Sequence, residues 1–148
     1  AGRDRDLVLA GLGARDSLRL EAGFSLYGHE ISESISPIQA GLQWTVKFGK
    51  PDFVGRAALL KQYEKGTDSR VVFFHTGDRR IVRSDSSVVS GNREVGRVLS
   101  GTLSPIMNEA IGSILVESAS AKCDLTADIR GRRQKLLLTK PPFIPLKK

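Results

Sequence analysis

Two arginines, Arg15 and Arg19, stand one helical turn apart in the run GLGARDSLRLEAG, residues 11 to 23. Side by side, their guanidinium forks suit a carboxylate, which each can grip through two parallel hydrogen bonds. The same spacing also suits a solvated face on which Arg19 pairs with Asp16 three residues earlier. Both readings need a helix. Leu12 and Gly13 lead in, Asp16 is expected in the first turn, where negative charge favours a helix N-terminus, and Gly23 falls where a C-terminal cap belongs. Ala14, Leu18 and Ala22 recur at i, i+4 and i+8, which draws an apolar stripe down one side and leaves the two arginines together on another.

The elements after this helix divide into two regions. The polar loop HEISESISP is followed by Leu42, Trp44, Val46 and Phe48 alternating with Gln43, Thr45 and Lys47, a period of two that predicts a half-buried strand. Gly49, Lys50 and Pro51 break it, and Asp52 is placed to cap a second helix running through Ala57, Leu60 and Tyr63. Residues 64 to 69, EKGTDS, form the expected boundary, so that residues 1–66 and 69–148 are read as separate units. Beyond it lie short strands: 71–75, 81–83, 88–89, 95–99, 111–116, 125–129 and 136–139. Gly91-Asn92 and Arg130-Gly131-Arg132 serve as hairpin turns, and strands at this spacing without helices among them predict a small β-barrel or sandwich.

Much chemistry is excluded at this level. The third glycine of a dinucleotide loop begun at Gly11 and Gly13 would fall on Asp16, so that motif fails. His29 and His75 are the only histidines and Cys123 the only thiol, none with a partner at metal-ligand spacing, so no metal is expected and Cys123 reads as a buried or spectator thiol in a reducing compartment. No GxSxG elbow is present. His75, at the end of a strand, reads as a packed or solvent-edge residue. No apolar run reaches eighteen residues and no signal segment opens the chain, so no membrane association is expected.

The net charge of +7 is unevenly placed. Arg130, Arg132, Arg133, Lys135, Lys140, Lys147 and Lys148 crowd the last nineteen residues, where no acid occurs. Such an end either steers a polyanion or acidic protein toward the chain or simply solubilises a tail and a hairpin turn. Phe143 is the only aromatic residue there, which argues against a base-stacking platform and against nucleic acid as a partner.

The run GLGARDSLRLEAG with Leu26-Tyr27-Gly28, then SPIQAGLQWTVKF (36–48), DFVGRAALL (52–60), GRVLSGTLSPIMNEAIGSILV (96–116) and Pro142-Phe143, resembles the glycine cleavage T-protein, the aminomethyltransferase, and its folate-dependent relatives. The first helix also resembles one in dimethylsulfoniopropionate demethylase and in the folate modules of sarcosine and dimethylglycine dehydrogenases. The match starts deep within the family's length and the chain opens on Ala1, so the resemblance implies a C-terminal portion. It also implies an α+β fold: the remainder of a folate-binding module at 1–66, with short helix and strand elements, and an antiparallel β-barrel domain at 69–148. The family's catalytic aspartate lies N-terminal to this stretch, so no residue here takes a catalytic role.

The resemblance further implies tetrahydrofolate as co-substrate, the lipoylated H-protein as partner, and a cytoplasmic setting if the source is bacterial or a mitochondrial one if it is eukaryotic. Arg15 matches the folate-contacting arginine of the family's GARD motif, and Trp44 matches a tryptophan of its pocket. Folate suits such residues, offering ring systems to pack on and carboxylates to hold. Tyr27 and Glu21 match motif positions as second-rank candidates, expected as a buried ring and as a glutamate that pairs Arg19 or caps backbone. The Ser100 to Pro105 segment is expected to shape the barrel rim, with Gly101 in a conformation other residues avoid. Gln39 stands where the family commonly has glutamate, so an ion pair built there becomes a neutral hydrogen bond. In the complete protein the activity implied is transfer of a one-carbon unit from the aminomethyl-lipoyl H-protein to tetrahydrofolate with release of ammonia, with this fragment inactive alone. A stand-alone barrel that binds a polyanion, and a relative that acts on another one-carbon donor, are the alternatives.

Overall fold

The computed structural model describes residues 5–145. Two helices, α1 (Leu12–Glu21) and α2 (Arg56–Lys65), precede six strands: β1 (Ser69–His75), β2 (Ser87–Ser90), β3 (Arg93–Ser104), β4 (Glu109–Glu117), β5 (Leu125–Ile129) and β6 (Arg132–Thr139). All pairings are antiparallel, and the strands close into a barrel in the order β1-β4-β3-β2-β5-β6, with β6 returning to β1. The fold is α+β.

Alternation fills the barrel. Val88, Val95, Val98, Ile114, Val116, Leu125, Ala127 and Leu136 point inward around Phe74. A bulge between Val98 and Ser100 breaks the alternation of β3. Its extra residue lets Leu99 and Ser100 both serve the outer face: Leu99 packs with Ile35 and Ala40, and Ser100 accepts a hydrogen bond from Arg19. The N-terminal segment covers this outer face.

Helix α1 buries a different side from the one its apolar spacing suggests. Ala14 and Leu18 are exposed, whereas Ser17, Leu20 and Glu21 are buried. Strand β3 supplies the hydroxyls of Ser100 and Ser104, which bond Arg19 and Glu21, so a polar helical face can be covered with these groups paired. Asp16 lies past the first turn and pairs with Arg19 at 2.7 Å, as a charged helical face predicts. Gly23, at φ +77°, follows the helix end and lets Phe24 N–H reach the Arg19 carbonyl.

Other elements differ from expectation. The 42–48 stretch is no strand: Gln43–Thr45 form a single 3-10 turn, held by hydrogen bonds from Thr45 N–H and Oγ1 to the Leu42 carbonyl. Gly41, at φ +73°, turns the chain into it, and no neighbouring strand pairs with it among the described residues. Asp52 does not cap α2. Its carboxylate accepts from the adjacent Phe53 N–H, and Gly55 at φ +85° begins the helix. Residues 81–83 are loop, because only Val82 enters the core while Ile81 and Arg83 face solvent. Gly101 has no left-handed φ; its role is clearance, since a Cβ there would collide with the Val82 carbonyl oxygen. The 91–92 and 130–132 turns close hairpins, the second with Arg130 and Gly131 at φ +54° and +78°.

Candidate ligand groove

β1 pairs with β4 along its whole length but with β6 only at Phe73, Phe74 and His75. On that side the first half of β1 has no strand partner, and the Val71 N–H donates instead to the Gln39 carbonyl at 2.8 Å. The barrel wall therefore parts between residues 38–44, the linker before β1 and the end of β6. A groove of about 930 Å³ occupies the gap. Its floor is apolar, with Val71 and Phe73, and Trp44 stands at its side 70% exposed. The other flank of Trp44 borders a second, shallower concavity beside Phe24 and Pro142.

Lys65, Arg70 and Lys140 line the groove, and no aspartate or glutamate does. Lys65 ends α2, Arg70 lies one residue into β1 and Lys140 follows β6, so three separate elements deliver the cations. The Arg70 Nε is buried and has no hydrogen-bond partner among the described residues. A buried, unpaired guanidinium N–H carries a free-energy cost. The groove thus combines one exposed aromatic face with an excess of positive charge.

The four residues singled out by sequence are not gathered here. Only Trp44 lines the groove. Arg15 is exposed on α1, about two turns before Gly23 at the groove edge. Tyr27 is 70% exposed rather than a buried ring. Glu21 is buried and accepts from Ser104 Oγ at 2.5 Å, not from Arg19, while its carbonyl takes the Phe143 N–H. Arg19 turns instead to Glu30, with Nη1 at 2.9 Å from Oε2, and donates through Nη2 to Ser100 Oγ.

Glu30 is enclosed. Burial pushes its acid up, but hydrogen bonds from Ser100, Ser113 and the Leu26 N–H, with the Arg19 charge, outweigh that and hold it below the ordinary glutamate value. This network pins residues 26–30 to α1 and the barrel. Gln39 makes the neutral bonds expected of it, donating to Ser69 Oγ and accepting from Ser36 N–H. Sequence reading missed Lys65 and Arg70, and counted Lys140 only among the basic residues of the C-terminal end, because the three are scattered along the chain and only the parted barrel wall brings them together.

Elsewhere the chemistry is sparse. His75 Nδ1 lies 2.8 Å from Glu109 Oε2 at the half-exposed barrel surface, and Cys123 is exposed rather than buried. Among the described residues no group of three or more His, Cys, Asp or Glu side chains is placed to hold a metal, and no helix is long and apolar enough to cross a membrane.

Residues 70–144 match the family model for the glycine cleavage T-protein C-terminal barrel domain, and residues 1–50 match that for the GCVT N-terminal domain. The chain belongs to the glycine cleavage T-protein family. It is 44% identical to the aminomethyltransferase of Desulforamulus reducens over 135 residues, which cover 90% of this chain and 37% of that protein. The aminomethyltransferase of Halothermothrix orenii is 42% identical over 146 residues, covering 97% of this chain and 41% of its own length. The crystal structure of the glycine cleavage system aminomethyltransferase T from Bartonella henselae superposes with a TM-score of 0.85 at 30% identity, over 91% of this chain and 39% of that one. The chain thus spans about two fifths of the length of the T-protein relatives it matches. Its barrel is the C-terminal barrel of that family.

Proposed function

We propose that the Trp44 groove is part of a tetrahydrofolate site, and that the chain is the C-terminal part of an aminomethyltransferase that passes a one-carbon unit from the aminomethyl-lipoyl H-protein to tetrahydrofolate with release of ammonia. The observation that carries this reading is the exposed Trp44 beside three cations with no acid among them. Trp44 packs against a ring of the folate, and Arg70, Lys65 and Lys140 hold the carboxylates of its glutamate tail. Arg15 and Tyr27, both on exposed surface, are further contacts at a distance from the groove, and Glu21 positions β3 through Ser104. Residues 1–66 belong to the folate module and 69–148 to the barrel. The chain's part is binding and orientation, so by itself it catalyses no transfer, and the setting is cytoplasmic if the source is bacterial.

The test is calorimetric titration of the chain with 5-formyltetrahydrofolate bearing one or three glutamyl residues. The triglutamate should bind more tightly, and Arg70→Ala should remove most of that difference. Equal affinity for both forms would take the three cations away from the glutamate tail, and tighter binding of inositol hexakisphosphate than of either would replace the folate reading with that of a general polyanion site.

A further inference from the structure

The Trp44 groove does not end at Lys65. A second concavity, about 530 Å³, adjoins it, and Gln39, Lys65, Gly66 and Thr67 line both. Beyond that shared wall the second is completed by Ala58, Lys61 and Gln62 of α2 and by Asp68 of the linker before β1. We propose that the two concavities form one track for an extended polycarboxylate chain, with Lys61 and Gln62 holding its far end and the neutral side chain of Gln39 letting it pass. The proposal rests on the folate reading of the groove, and the chain it takes is a γ-linked glutamyl extension of the ligand's tail.

Helix α2 lays out the donors. Lys61 and Lys65 are four residues apart, so they stand one above the other on the same helix face, and both are exposed. Among the described residues Lys61, Lys65 and Arg70 make no ion pair. Ser36 Oγ donates to Gln62 Oε1 at 2.6 Å, which leaves the Gln62 amide N–H groups for a ligand. Each glutamyl unit brings one further carboxylate. Such a repeat suits cations met one after another along a path, from Arg70 to Lys65 to Lys61.

Gln39 stands at the joint. Its side chain is engaged in neutral bonds, accepting the Ser36 N–H at 3.0 Å and donating to Ser69 Oγ at 2.9 Å, while its carbonyl takes the Val71 N–H. The wall common to both concavities therefore carries no negative charge. A glutamate at this position would keep the Ser36 bond and accept from the Ser69 hydroxyl, so the local structure would survive, but a carboxylate would stand where the chain must pass. Among the described residues Asp68 is the sole acid lining either concavity, and Lys61 and Lys65 outnumber it. Discrimination between short and long tails is then a difference in affinity set by Gln39, Lys61 and Asp68.

The test is calorimetric titration of the full chain at low salt with 5-formyltetrahydrofolate bearing one, three or five glutamyl residues, and with penta-γ-glutamate alone. Affinity should keep rising from three residues to five. Lys61→Ala should remove most of that last gain, whereas Arg83→Ala, the same loss of charge at an exposed residue that lines neither concavity, should not. Gln39→Glu should weaken the pentaglutamyl form severalfold more than the monoglutamyl form, and Asp68→Asn should tighten it; circular dichroism checks the fold of each variant. No gain beyond three residues, or equal losses from Lys61→Ala and Arg83→Ala, would overturn the track and leave the folate reading in place when the monoglutamyl form binds. If that form does not bind while penta-γ-glutamate binds in a Lys61-dependent way, the track stands as a polycarboxylate site and the folate reading falls.

Discussion

Arg19 and Glu30 meet at 2.9 Å with 10% and 0% of their side chains exposed, joining α1 to the loop that leads toward Trp44. Ser113 of β4 donates to the other Glu30 oxygen at 2.5 Å, and Ser100 of β3 accepts from Arg19 at 2.9 Å. Helix, loop and barrel share one buried polar cluster. Removing one partner of such a pair leaves an uncompensated buried charge. Arg19→Ala should therefore cost about 3 kcal/mol or more of stability, read as a lowered urea midpoint, while Arg15→Ala on the exposed face should shift it within about 0.5 kcal/mol.

Glu30 also sets a pH dependence. Its acid is held below the ordinary glutamate value, net of a burial penalty that acts the other way. The folded chain thus binds its proton less readily than the unfolded chain, so its contribution is fully present above about pH 4.3 and is lost as pH falls through the depressed folded value. Urea midpoints taken between neutral and acidic pH should fall more steeply for the unsubstituted chain than for Glu30→Gln. Parallel curves would remove Glu30 from the acid response.

Two glycines separate clearance from backbone conformation. A Cβ at Gly101 would run into the Val82 carbonyl, whereas one at Gly28 meets open space but sits at φ +89°. Gly28→Ala should cost about 1 to 2 kcal/mol from the left-handed conformation alone. Gly101→Ala should cost about 3 kcal/mol, because the clash is with the backbone of the loop that plugs Val82 into the barrel core. Thermal melts of the two variants rank the effects.

Trp44 is predicted to matter for binding and not for folding. With 70% of its surface exposed, it contributes little to the core. Trp44→Ala should leave the urea midpoint nearly unchanged and weaken 5-formyltetrahydrofolate by about 1 to 2 kcal/mol, measured calorimetrically.

Most of the strands were legible because they carry their own signal: a period of two is local, and the turns at 91–92 and 130–132 have the residues such turns need, whereas barrel rather than sandwich came from the family resemblance. The strand expected at 42–48 fails on the same logic. Alternation there is real, but Gly41 and the Thr45 hydroxyl favour a turn, and no neighbouring strand supplies hydrogen bonds. The buried side of α1 was illegible for a different reason. Ser17 and Glu21 look solvent-facing until Ser104, 83 residues from Glu21, provides a partner. The groove is likewise a product of topology, since Lys65, Arg70 and Lys140 converge only where β1 leaves β6. Trp44 alone among its key residues was readable from a motif.

The chain contains a single tryptophan, so its emission reports on the groove without any label. Titration with 5-formyltetrahydrofolate, corrected for ligand absorption, should quench that emission saturably. Arg70→Ala should raise the midpoint by roughly tenfold or more, the loss of a charged hydrogen bond, with the fold kept because no buried partner is orphaned. A response that does not saturate, or a midpoint that Arg70→Ala leaves in place, would contradict a folate site at Trp44.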